Sequence, residues 1–142
     1  MTTVRAPRAP RKPRAPRAPK PIGPSESKIQ SWILAQLRDI YPEGLWERQN
    51  VVVAQAKDRF IRAGTVGQAD LRGCFYGRYI ELEVKRPGEL QTPAQVQRQK
   101  DVEAAGGLYA VVHDKKEAFA AVKPIRDAVI AAMILQPMVK RK

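Results

Sequence analysis

Proline recurs every third residue near the start of this chain, at Pro7, Pro10, Pro13, Pro16 and Pro19, mostly in the frame Arg-Ala-Pro. A pyrrolidine ring at that period removes a helix hydrogen bond in each turn and favours extended polyproline II backbone. Pro21 and Pro24 continue the run, so residues 1–24 hold seven of the twelve prolines. The same stretch lacks the apolar side chains whose burial offsets the entropy of ordering a chain. Residues 1–24 are therefore expected to form a disordered, semi-stiff tail, with folding beginning near Ser25.

The tail is also where the charge is concentrated. It carries Arg5, Arg8, Arg11, Lys12, Arg14, Arg17 and Lys20 and no acid, which is +7 of a formal net charge of +12 over 142 residues. The remaining residues carry +5. Such an excess points to a polyanionic partner, nucleic acid first and an anionic membrane surface second. The expected role of Arg5, Arg8, Arg11, Lys12, Arg14 and Arg17 is contact with phosphates, and a solubilising or partner-docking tail is the plain alternative. A transit peptide is disfavoured, because proline at every third position prevents an amphipathic helix.

Several classes are disfavoured at once. The single cysteine, Cys74, allows no intramolecular disulfide and no cysteine-based zinc cluster, and fits a reducing, cytosol-like compartment. The longest apolar run, Ala128 to Leu135, falls far short of the roughly 20 residues of a membrane helix. No apolar stretch follows the basic start, so no signal peptide is expected. There is no P-loop and no nucleophile-elbow motif. His113 is the only histidine; next to Asp114 it is expected to be structural. Trp32 and Trp46 are expected in the core, Tyr41, Tyr76 and Tyr79 are unselected contact candidates, and Cys74 is expected to be inert in an apolar strand.

At 44% hydrophobic the chain can bury a core, and its length suits about one domain. Ser25 can cap a helix whose Glu26 favours the dipole, followed by Ile29, Trp32, Ile33, Leu37 and Ile40 at helical spacing. Pro42-Glu43-Gly44 ends it. Residues 45–54 read as a strand and 55–69 as a loop. Residues 70–75 and 78–85 read as a hairpin turning near Tyr76-Gly77, with Ile80, Leu82 and Val84 on one face and Glu81, Glu83 and Lys85 on the other. Thr92-Pro93 opens a helix to about Ala105, stopped by Gly106-Gly107. Leu108 to His113 reads as a strand, Lys115 to about Val122 as a helix, and Pro124 to about Leu135 as another. That order predicts an α/β fold, a mixed central sheet flanked by helices.

Chemistry concentrates at Asp70, Glu83 and Lys85. Glu83 and Lys85 leave one face of a strand, and Asp70 begins the neighbouring arm, so two carboxylates can meet beside an ammonium. That is an oxygen site for a hard divalent cation, with a lysine placed to orient water or steady charge on a phosphoryl group. The plain alternative for acid-x-Lys is a solvated face or surface ion pair.

The wider arrangement resembles the VRR-NUC (virus-type replication-repair nuclease) family of the PD-(D/E)XK nuclease superfamily, from about Ser25 to about Ala118. Gly67-Gln68-Ala69-Asp70 resembles its Gly-x-Pro-Asp motif, with Ala69 in place of proline. Ile80-Glu81-Leu82-Glu83-Val84-Lys85 resembles its core strand. Leu90-Gln91-Thr92-Pro93-Ala94-Gln95 resembles its helix start, with Gln91 inserted. Trp46-Glu47-Arg48-Gln49-Asn50 resembles its Trp-x-Arg-x-Asn strand, and Ala104-Ala105-Gly106-Gly107 with Tyr109 to Val112 resembles its closing turn and strand.

The resemblance implies a restriction-endonuclease-like core at residues 25–122, after the tail at 1–24 and before a C-terminal helix and basic end at 123–142. It implies Glu26, Asp70, Glu83, Lys85 and Gln95 as the catalytic set, with Asp70 and Glu83 holding Mg²⁺ or Mn²⁺ and Gln99 able to replace Gln95. Glu81 is expected to be solvated, an extra acid near the metal being the alternative. Some arginines of the body, Arg48 and Arg86 among them, should contact phosphates. The implied activity is phosphodiester hydrolysis on branched or duplex DNA, with RNA open, in phage-type replication, repair or recombination in the host cytoplasm. A homodimer is the expected assembly, since members of the family can be oligomers. The competing readings are a non-catalytic basic nucleic-acid-binding protein and a docking subunit with a proline-rich tail.

Overall fold

The computed structural model describes residues 23–49, 52–56 and 59–135. Arg5, Arg8, Arg11, Lys12, Arg14 and Arg17 of the tail, and the Lys140-Arg141-Lys142 end, lie outside them.

Helix α1 (Glu26–Ile40) starts at Ser25, whose hydroxyl accepts from the Lys28 N–H at 3.3 Å, and buries Ile29, Ile33 and Leu37 on one stripe. Strand β1 (Leu45–Arg48) follows, then β2 (Val52–Ala56), β3 (Arg59–Ala63), β4 (Leu71–Phe75) and β5 (Arg78–Val84). Helix α2 (Pro93–Ala104), strand β6 (Leu108–Val112) and helix α3 (Lys115–Leu135) complete the order. Four strands form a mixed sheet in the order β1-β4-β5-β6; the first two pairings are antiparallel and β5 runs parallel to β6. A parallel pair needs a crossover, and α2 supplies it. β4 and β5 join through Tyr76 (φ 49°) and Gly77 (φ 77°), the left-handed pair that a two-residue hairpin demands.

β5 is covered on both faces. Ile80, Leu82 and Val84 join Leu71, Phe75 and Val112 under α1 and α3. On the opposite face a smaller cluster of Ala69, Val102 and Tyr109 lies under α2. This explains five consecutive buried residues, Ile80 to Val84, two of them glutamates.

Several expectations are corrected. The strand expected over 45–54 ends at Arg48, and residues 52–56 pair instead with 59–63, where a loop was expected, in a separate two-stranded sheet. The Val51-Val52-Val53 run is β-prone in either arrangement, and only pairing distinguishes them. Pro124 lies inside α3 rather than opening a new helix. It removes one hydrogen bond, but Val122 and Ile125 on either side are both in the core, and their packing holds the helix through it. Trp32 is 43% exposed, with the Lys28 ammonium 5.2 Å from its ring centroid, whereas Trp46 is buried and donates to the Tyr41 carbonyl at 2.9 Å. Cys74 is exposed, on the outward face of β4. His113 pairs with Glu117 at 2.8 Å rather than with Asp114. Among the described residues no helix is long and apolar enough to cross a membrane.

Candidate active site

Asp70 immediately precedes β4, whose Leu71 is in register with Leu82 of β5. That register sets Asp70 beside the end of β5. Its Oδ2 accepts from the Val84 N–H at 2.9 Å, which continues the ladder with a side chain, and its carbonyl accepts from the Gln49 N–H at 2.7 Å. Glu83 leaves β5 toward α2. Its Oε1 meets the Lys85 Nζ at 2.9 Å and accepts from the Gln95 Nε2 at 2.5 Å, while its Oε2 lies 3.5 Å from the Tyr109 hydroxyl. Lys85 is anchored by its own N–H, which donates to the Val112 carbonyl at 3.0 Å.

Gln95 reaches Glu83 because α2 starts at a capping box. Thr92 Oγ1 accepts from the Gln95 N–H at 3.3 Å, and Gln95 Oε1 accepts from the Thr92 N–H at 2.8 Å, leaving the amide nitrogen free for Glu83. The turn that delivers Asp70 abuts the same helix start. Gly67 (φ 80°) lies so close to α2 that an added Cβ would sit 2.2 Å from the Ala94 carbonyl oxygen. Gln99 does not replace Gln95; it pairs with Gln91 at 3.2 Å and with Glu103 at 2.8 Å. The inserted Gln91 thus folds back over the helix, toward the Tyr109 hydroxyl.

The charges are strongly coupled. Burial pushes the Glu83 carboxyl up to about 7, against the pull of the Lys85 hydrogen bond, and the charges of Asp70 and Glu26 push it the same way. Burial also raises Asp70, opposed by the Val84 N–H, Lys85 and Arg48. Glu26, in the first turn of α1, is raised by burial and by the adjacent Glu89 carboxyl, with Lys85 opposing. Burial works to lower Lys85, yet the Glu83 hydrogen bond and the charges of Glu83, Glu26 and Asp70 outweigh it and hold the ammonium above its ordinary range. One lysine is therefore shared among three carboxylates.

This arrangement fits a hard divalent cation of the kind that keeps most of its water. Among the described residues no group of three or more His, Cys, Asp or Glu side chains is disposed to cage a metal ion. Mg²⁺ needs no such cage, since it typically takes one or two carboxylates plus waters and substrate phosphate. Among the described residues, Asp70 and Glu83 each commit one oxygen to a strong hydrogen bond or ion pair and leave the other weakly engaged or open. A buried carboxyl lifted to about 7, with the half-buried Asp70 carboxyl pushing it the same way, forms a donor set that a cation would relieve.

No protein-family model matches this chain, and no curated protein aligns with it significantly.

The structure thus gathers Glu26, Asp70, Glu83, Lys85 and Gln95 at one place. Arg48 adjoins them: its Nη2 donates to Ser27 Oγ at 3.0 Å at the start of α1, and its charge reaches Asp70. Arg86 follows Lys85 and carries a buried Nε without a hydrogen-bond partner among the described residues. Glu81 is not solvated. It is 0% exposed and bound by Arg98 and Tyr79 on the α2 side of β5. The reading from sequence missed Glu89 and Tyr109, and counted Arg98 only among the arginines able to contact phosphate, not as the partner of Glu81. Their proximity depends on the turn after β5, the parallel register of β6 and the seat of α2, and no local pattern signals any of the three.

Proposed function

We propose that this protein is a metal-dependent nuclease of the VRR-NUC type, a DNA endonuclease with a restriction-endonuclease-like core. The observation that carries the proposal is the meeting of Asp70, just before β4, and Glu83, on the antiparallel β5, around the half-buried Lys85 ammonium. The order α1-β1-β4-β5-α2-β6, with the acids at the end of the β4–β5 hairpin and glutamine in the first turn of the crossover helix, supports it.

Mg²⁺ or Mn²⁺ held by Asp70 and Glu83 would polarise the phosphoryl group and lower the pKa of a bound water. The chain does the rest. Val84 and Gln95 hold the two carboxylates in orientation. Lys85 points the attacking water at phosphorus and steadies the charge that builds on the phosphate oxygens. A new O–P bond forms, the P–O3′ bond breaks, and a 5′-phosphate is the product that the resemblance implies. Glu26 lies close enough for its charge to act on Glu83 and Lys85, and it engages the site directly or through water. Arg48 and Arg86 flank it and suit phosphate contact, which fixes register without reading bases. A phage-type role in replication, repair or recombination in the host cytoplasm, on branched or duplex DNA, belongs to the same reading. So does a homodimer, for which the exposed Met133, Ile134 and Leu135 at the end of α3 offer an apolar surface.

The test is cleavage of plasmid and branched DNA by the full chain with Mg²⁺, Mn²⁺ or EDTA. Asp70→Asn keeps an acceptor for the Val84 N–H, so the protein should fold, yet cleavage should fall about 100-fold or more for loss of a metal-holding charge. Cutting in EDTA, or Asp70→Asn cutting as fast as wild type, would overturn the proposal. DNA binding without cleavage under every condition would favour a non-catalytic nucleic-acid-binding protein.

Deletion of residues 1–24 separates tail from site. If all seven cations contact duplex phosphates, the slope of log affinity against log salt should flatten by at most about 6. A slope and affinity unchanged by the deletion would reject phosphate contact by the tail.

A further inference from the structure

Two glutamates leave the same face of β5 and both are buried, but the chain treats them differently. Glu83 faces the shared Lys85. Glu81 meets a fixed guanidinium: Arg98 Nε lies 3.0 Å from its Oε1 and 3.2 Å from its Oε2, and Arg98 Nη2 lies 2.5 Å from Oε1. The Tyr79 hydroxyl donates to the same Oε1 at 2.6 Å and the Ala69 N–H donates to Oε2 at 3.4 Å, so the carboxylate is held from α2, from β5 itself and from the turn before Asp70. Arg98 sits on α2 three residues after Gln95, and Glu81 sits on β5 two residues before Glu83. Residues three apart share a helix face and residues two apart share a strand face. The two helix–strand contacts, Gln95 to Glu83 and Arg98 to Glu81, therefore form one pair of rungs.

We propose that Arg98 is a positioning residue for the reaction, its bidentate clamp on Glu81 fixing the seat of α2 along β5 so that the Gln95 amide holds the Glu83 carboxylate in place. This rests on the nuclease reading for its catalytic consequence. The geometry itself needs no turnover. A fork on a carboxylate is directional in a way that apolar packing is not, so it sets the position of the helix along the strand as well as its distance from the sheet. Val102, the one buried residue of α2, packs farther along the helix on Ala69 and Tyr109 and offers no such directional restraint.

The test uses the double variant Glu81→Met/Arg98→Met, because removing one partner alone would strand a buried charge, whereas apolar replacement of both partners of a buried pair is often tolerated. The half-exposed Tyr79 hydroxyl can turn to water in that variant, whereas the buried Ala69 N–H loses its long contact with Glu81, and Arg98→Lys, which keeps Glu81, separates that loss from the loss of the clamp. The double variant should keep its thermal midpoint within a few degrees. Its turnover at saturating DNA should fall about tenfold or more, and its half-saturating Mn²⁺ concentration should rise about threefold or more. KM for DNA should change less than about twofold, since no phosphate contact is touched. Solvent exchange of the Gln95 side-chain amide, followed by NMR, should speed up about tenfold. A role in stability alone would leave all of these at wild-type values once the fold is retained, and that result would overturn the proposal.

If the double variant fails to fold, Arg98→Lys decides instead. It keeps the charge but loses the fork, and wild-type turnover and amide exchange in it would equally reject the positioning role. Should wild type cut no DNA while the Gln95 amide still responds as expected, the nuclease reading falls and the clamp stands. Should wild type cut and the double variant cut as well, the clamp falls and the nuclease reading stands.

Discussion

Lys85→Met should lower metal-dependent cleavage by about 100- to 1,000-fold, the usual cost of removing a preorganised charge from a phosphoryl or oxyanion site. Methionine keeps most of the aliphatic stem, so the loss reports the ammonium and not a cavity. The same substitution should move the pH dependence. Lys85 pulls the Glu83 carboxyl down while burial, Asp70 and Glu26 push it up, and the balance stands at about 7. A divalent cation competes with the proton on Glu83. At subsaturating Mn²⁺, wild-type cleavage should therefore fall about tenfold per pH unit below about 7 and level off above it. Without Lys85 that limb should shift to higher pH. Single-turnover rates over a pH series check both points. A Lys85→Met protein that cuts at the wild-type rate with an unmoved acid limb would remove Lys85 from the mechanism.

The stability consequence of the same acid has a definite sign. A folded carboxyl raised above its unfolded value binds its proton more tightly in the native state. Its contribution to stability is thus greatest at low pH and falls as pH rises from about 4.5 through about 7. Lys85 is also raised, so its contribution is present below its unfolded pKa and is lost as pH rises through the folded value.

The largest structural effect should come from Gly67→Ala. The backbone there has φ 80°, and a Cβ would meet the Ala94 carbonyl oxygen at 2.2 Å and its carbon at 2.6 Å. Left-handed backbone costs an alanine about 1–2 kcal/mol. Forcing the turn away from α2 adds a cost of the kind seen on overpacking, about 1–3 kcal/mol. Together these suggest about 3 kcal/mol, or a melting temperature lower by at least about 10 °C for a domain of this size. The proposed active site should suffer too, since the displaced parts carry Asp70 on one side and Gln95 on the other. Gly77→Ala is the matched control. It has φ 77° with nothing within 4 Å of the added Cβ, so only the backbone term applies. Equal melting temperatures for the two variants would show that the contact with α2 is slack.

Much of the site was legible because its signals are local. Alternation along Ile80 to Val84 placed the apolar and acidic faces of β5, and Thr92-Pro93-Ala94-Gln95 marked a capped helix start. The Tyr76-Gly77 turn paired the arms that bring Asp70 toward Glu83. The fate of Glu81 was not legible. An acid beside another acid on a strand reads as solvated unless one knows that α2 crosses above it with Arg98 in place. The hairpin of β2 and β3 escaped for a related reason, since Phe60-Ile61 is too short an apolar patch to declare a strand without its partner.

The sequence by itself determined where the first helix starts, because the Ser25 cap and the acid that follows it act within one turn. It also determined which residue types carry charge and chemistry, and the spacing that sets Glu81, Glu83 and Lys85 on one face. Only the tertiary structure decided that Glu81 is tied to Arg98 while Glu83 is held by Lys85 and Gln95. It alone decided that Pro124 stays within a helix and that Gly67 touches Ala94. Those outcomes depend on which elements pack together and in what register, and the energies that choose them arise between residues far apart in the chain.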